Sequence, residues 1–318
     1  MTTFRQRFVG ATELPKSLTD FDVEQSFQLS TQDVETIRRR FRTDRRLGAA
    51  VQLVVIRATG RTFDRVASVP RPLLQYLCTT LGLSETSIAS LKTLYSRRAT
   101  LYEHQAWARE ASGVTDADPA AMAQLPVALN ELAGTANSVD ELAKAAEIWL
   151  FDRSYRLPGD RALRDLARAA FAAVDEASAA AVRDQLSPEQ LHKAITMVHT
   201  KRRGPTGATV LEWLKTPVGK HSPGGLASVI EKIKFLKSIG VAGWKLTGIS
   251  SARMRAYGQA VANRSPIETR RLKVETQALE VTCFLRMTLM ELTDVALFMA
   301  ARRVCDLVRA AATKVQSK

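Results

Sequence analysis

The chain has 318 residues, 46 of them Lys or Arg against 32 Asp or Glu, and carries a formal net charge of +14. Its 46% apolar content excludes a disordered polymer, and no apolar run approaches the roughly 20 residues that a bilayer-spanning helix needs. The opening MTTFRQRFVGATELPKS has no continuous apolar core and so is not a secretory signal, while Glu13, Asp20 and Asp22 argue against an organelle address despite Arg5 and Arg7. Cys78, Cys283 and Cys305 lie far apart with no paired spacing, which suits buried thiols in a reducing cytoplasm. The positive charge is concentrated: residues 38–98 hold thirteen basic and three acidic groups, and residues 192–318 hold twenty-two and eight. Such blocks favour nucleic acid or an anionic surface; solubilised helices are the alternative.

Helical patterning dominates. Ser30 or Thr31 can cap a helix that carries Val34 and Ile37 on its apolar side. IRRRFRTDRRLGAAVQLVVIRATG (37–60) places Arg38, Arg39, Arg40, Arg42, Arg45 and Arg46 directly before an apolar run. VQLVVI (51–56) is β-branched, but it follows Ala49-Ala50 without a break signal and reads as the buried end of a helix. Gly60, Pro70 and Pro72 punctuate the next stretch of chain.

LLQYLCTTLGLSETSIASL, from Leu73 to Leu91, has the spacing of a helix-turn-helix: Cys78 is a small crossing residue, Gly82 allows positive φ in the turn, and Ile88 locks the second helix. Ser84 can cap that second helix, leaving Glu85, Thr86, Ser87, Ala89, Ser90 and Lys92 outward, small and polar enough for a major groove. Cations flank the unit at 38–46 and at Arg97-Arg98; an ordinary helical hairpin is the competing reading. His104, in YEHQAW, reads first as a packing or capping group and second as a phosphate contact.

TDADPAAMAQLP (115–126) is small, acidic and broken by two prolines, as a boundary would be. Beyond the break at Leu157-Pro158-Gly159-Asp160, Arg161, Arg164 and Arg168 share one helix face, which can track phosphates or pair with Asp160 and Asp165. KRRGPTGATVLEWLKTPVGKHSPGG (201–225) opens a basic loop region with Lys201, Arg202 and Arg203. Its Gly219-Lys220 is not a phosphate-cradling loop, because Leu214 stands where glycine is needed and His221 where Ser or Thr is needed. Long amphipathic helices fill the remainder, notably LEVTCFLRMTLMELTDVALFMAARRVCDLVRAA. Of the four histidines only His192 and His199 are close, seven apart without Cys or carboxylate at ligand spacing, and no nucleophile signature appears. No cofactor or metal is expected.

LSTQDVETIRRRFRTDRRLGAAVQLVVIRATGR, PRPLLQYLCTTLGL and RRATLYEHQAW, followed by LEWLKTP, IEKIKFLKSIGV and LTDVALFMAARR, form an ordered series that resembles the opening region of the large replicative transposases of the Tn-three family. The likeness runs from about residue 29 to the C-terminus. It implies a bipartite helical region that binds the terminal inverted repeats of a transposon as double-stranded DNA, with the magnesium-dependent, three-carboxylate core lying further on, so this chain is not expected to be an enzyme. The expected fold is all-α: tandem helix-turn-helix-like units, then a helical bundle. The expected domains are 1–114, with the helix-turn-helix at 73–92, then 115–190, then 191–318. The expected DNA-contacting residues are Arg38, Arg39, Arg42, Arg45, Arg46, Ser84, Thr86, Ser87, Ser90, Lys92, Arg97, Arg98, His104, Arg161, Arg164, Lys201, Arg202 and Arg203. A second copy or a full-length transposase is the expected protein partner, a membrane is not, and the expected setting is the bacterial cytoplasm at the nucleoid.

Overall fold

The structure, a computed structural model, describes residues 6–64, 68–84, 87–202, 207–219 and 222–316. It is all-α. Among the described residues there are fifteen α-helices, and the only extended pairing is two isolated bridges, Thr115 with Tyr155 and Lys201 with Thr209. No described helix is long and apolar enough to cross a membrane. The chain divides into two compact units, Met1–Leu132 with Ser138–Ala170, and Ala133–Asn137 with Phe171–Lys318.

The first unit is built around one buried helix. It contains α1 (Asp20–Ser26), α2 (Thr31–Arg40), α3 (Thr43–Thr59), α4 (Arg71–Leu81), α5 (Ile88–Leu94), α6 (Arg98–Ser112), α7 (Pro119–Ala133), α8 (Val139–Asp152) and the start of α9 (Asp160–Gln185). Every residue of α3 from Leu47 to Ile56 is buried, VQLVVI included, because α2, α4, α5 and α6 all pack on it. Such a helix is apolar all round. Ser30 caps α2 in a reciprocal box with Asp33, and the same Asp33 carboxylate takes two bonds from Arg57 of α3, at 2.6 and 2.8 Å. One acidic side chain thereby holds the start of α2 against the end of α3. α7 takes in most of the 115–126 stretch; Pro126 stands inside it, and Leu125 and Leu129 are buried.

The stretch 37–46 is not one helix. α2 ends at Arg40, Phe41 is extended at φ −117° and ψ 141°, and α3 begins at Thr43. The Phe41 ring is packed at the break. The residue is 5% exposed, and its ring meets His104 edge-on at 4.9 Å and Trp107 at 5.0 Å.

The second unit contains the rest of α9, then α10 (Pro188–His199), α11 (Val210–Lys215), α12 (Pro223–Ser238), α13 (Ser251–Asn263), α14 (Pro266–Arg270) and α15 (Val274–Gln316). α15 is its axis, packed by α10, α12 and α13. Buried Lys232 donates to the Leu214 and Thr216 carbonyls, closing the end of α11.

Two outcomes test the Phe41 packing. Phe41→Ala lowers the stability of the first unit by about 3–5 kcal/mol in urea unfolding. His104 is fully buried, and burial holds its imidazole down at about 4. The unfolded chain binds that proton below about 6.5. Stability from this group is therefore complete above that pH and is lost as pH falls toward 4, by up to about 3 kcal/mol. His104→Gln removes that part of the pH dependence.

Candidate nucleic-acid interface

Hydrogen bonds and close packing bring five helix ends of the first unit together. Arg38 of α2 donates to the Leu81 carbonyl at the end of α4, at 3.1 Å, beside the left-handed Gly82 (φ +67°). Gly82 is what that turn requires: the Leu83 N–H then reaches back to the Cys78 carbonyl at 2.9 Å and closes α4. Arg46 of α3 donates to the Phe41 and Arg38 carbonyls, each at 3.1 Å, closing α2. Arg45 pairs with Glu103 of α6 at 3.3 Å. Gly48 of α3 lies so close to α5 that a methyl group there would come within 2.6 Å of the Tyr95 hydroxyl and 2.8 Å of Leu94. The Tyr95 hydroxyl in turn meets His104 Nδ1 at 2.9 Å.

On the outside of this junction Arg39, Arg40 and Arg42 are exposed, and among the described residues none has an ion-pair partner. Arg97 and Arg98 are exposed at the start of α6, whose first turn holds no acidic residue and no side-chain cap. Two cations at the positive end of a helix dipole leave a place that favours an anion. Asp44, in the first turn of α3, is the exposed carboxylate nearest the elbow in sequence.

In the α4 and α5 segment Leu77, Cys78, Leu81 and Leu91 are buried and Leu83 and Ile88 pack against the core. α5 starts later than expected. Ser87, not Ser84, is its cap, accepting from the Ser90 N–H at 3.4 Å. Ser84, Ser87, Ser90 and Lys92 are exposed, while Thr86 lies outside the described residues.

Other expected contacts fall elsewhere. His104 is no surface group: α6 turns it inward onto Phe41 and Tyr95, and this burial removes it from any DNA-contacting set. Arg161 and Arg168 face Asp165, at 3.9 and 2.6 Å, and Arg164 faces Asp140 at 3.1 Å. That α9 face is charged on both signs. Lys201 is exposed beside the bridge to Thr209; Arg202 lies over the Trp213 ring at 4.3 Å and pairs with Glu231; Arg203 lies outside the described residues. Sequence reasoning missed Arg57, whose double bond to Asp33 makes it a strut, and Phe41, an aromatic among arginines. The lone Phe in RRRFRTDRR was the available signal.

Residues 8–170 match a family described as a domain of unknown function, DUF4158. Over 316 residues the chain is 29% identical to the transposase for insertion sequence element IS1071 in transposon Tn5271 of Comamonas testosteroni, covering 99% of this chain and 32% of that protein. Over 282 residues it is 23% identical to the transposase for transposon Tn1546 of Enterococcus faecium, covering 89% of this chain and 28% of that protein. The chain spans about a third of the length of the curated relatives it matches. With just over half of its residues inside the matched segment and transposases among its relatives, this transposase-related chain belongs to the DUF4158 family.

Proposed function

We propose that the chain is a sequence-specific double-stranded DNA-binding protein of the transposase type, directed at the terminal inverted repeats of a transposable element. The observation that carries this reading is the junction itself: unpaired Arg39, Arg40 and Arg42 stand at an elbow tied through Arg38 to the α4–α5 turn and through Arg45 to α6. Guanidinium groups on phosphates supply affinity and register. In this reading α4 and α5 act as a helix-turn-helix whose Ser87, Ser90 and Lys92 side meets base edges, as such units do in a major groove. The α6 start, with Arg97 and Arg98, takes a further phosphate. Lys201 is an exposed cation that the second unit offers to a phosphate. The role is binding; DNA cleavage and joining are not assigned to these residues.

A second reading has its own observation. On α15, Met290, Leu297 and Val304 recur every seven residues and are 51%, 65% and 59% exposed. A seven-residue apolar repeat is the pattern of a helix that packs on another helix, which suits a second copy or a full-length transposase as partner. Light scattering tests it: a mass above that of one chain, lowered by Leu297→Lys, is expected, and a single-chain mass without and with DNA removes this reading.

For DNA binding, a duplex enriched by in vitro selection and its scrambled version are compared by mobility shift at several salt concentrations. The enriched duplex binds more tightly. Five phosphate contacts give a log–log salt slope of about −4.5, from roughly −0.9 per contact. Arg39→Ala, Arg40→Ala and Arg42→Ala each reduce its steepness by about 0.9 and weaken both duplexes alike. Equal affinity of the unaltered protein for the two duplexes defeats the proposal.

A further inference from the structure

The six arginines between 38 and 46 do not do one job. Resting on the DNA-binding reading above, we infer that Arg38 and Arg46 are positioning residues, which fix the angle between the cationic elbow and α5 rather than touching phosphate. Each commits part of its guanidinium to backbone carbonyls, although Arg38 is exposed. Arg46 gives two N–H groups to the carbonyls of Arg38 and Phe41, and Arg38 gives one to the carbonyl of Leu81. All three acceptors lie at helix C-termini, where carbonyls lack intrahelical partners and the dipole favours a cation. The bonds form a relay: α3 closes α2 through Arg46, and α2 closes α4 through Arg38. Gly82, where the turn toward α5 begins, lies directly under the Arg38 guanidinium, so close that a methyl group built on it would stand 3.4 Å from Arg38 Nη2.

This division has a consequence in binding that neither a phosphate contact nor a general stabiliser shares. Removing a phosphate contact lowers the salt slope and weakens every duplex. Loosening the relay leaves counterion release intact and misaligns the elbow against the surface that meets the bases, so preference is lost while charge-driven affinity persists.

The test uses the whole chain, with the enriched and scrambled duplexes as probes. Arg38→Met and Arg46→Met are expected to lower the preference for the enriched duplex about tenfold each, the equivalent of one charge-assisted hydrogen bond. The salt slope and the affinity for scrambled DNA stay at the unaltered values. Arg38→Lys, whose ammonium reaches the same carbonyl, keeps the preference, and circular dichroism confirms that each variant is folded. A slope reduced by about 0.9 in Arg38→Met makes that residue a phosphate contact and overturns the inference. An unchanged preference in both Met variants, or its loss in Arg38→Lys, overturns it as well. An unaltered chain without any preference between the duplexes instead defeats the DNA-binding reading on which the inference rests.

Discussion

Burial of a single aromatic ring shapes the basic surface of the first unit. Phe41 interrupts a run of arginines, and its ring is drawn between His104 and Trp107 of α6. α2 ends just before Phe41, α3 starts two residues after it, and Arg39, Arg40 and Arg42 are exposed at the corner. The corner is braced by the Tyr95–His104 hydrogen bond and by the glycine that lets α3 approach α5.

The same segment separates arginine chemistry into three kinds. Some guanidinium groups close helix ends, as Arg38 and Arg46 do on backbone carbonyls. Others pair with carboxylates, as Arg45 does with Glu103 and Arg57 with Asp33. The remainder, Arg39, Arg40 and Arg42, are left to solvent. Arginine suits all three roles because its planar fork of donors stays charged in each. Counting cations in a sequence therefore overstates the charge that is free to meet a polyanion.

Much of the local structure was legible from residue order. The Ser30 cap, the helical reading of VQLVVI and the glycine corner after α4 all rest on short-range chemistry that tertiary contacts left in place. What was not legible came from long-range packing. No glycine or proline marks the break at Phe41, whose ring packs on α6. Ser84 and Ser87 are equally good caps by type, and Ser87 is the one that caps α5. Pro126 reads as a stop, yet α7 continues through it with Leu125 and Leu129 in the core. His104 reads first as a packing or capping group, and its contacts with the Phe41 and Tyr95 rings favour that reading over the phosphate contact. The roles of individual arginines were the least readable feature, since each depends on a carbonyl or carboxylate distant in sequence.

Arginine-selective chemical modification of the whole chain, mapped peptide by peptide with and without the selected duplex, tests the central claim most directly. The account predicts that Arg39, Arg40 and Arg42 react readily in the free protein and are shielded in the complex, while Arg57 stays unreactive in both. Reactivity at those three positions that duplex DNA leaves unchanged would contradict it.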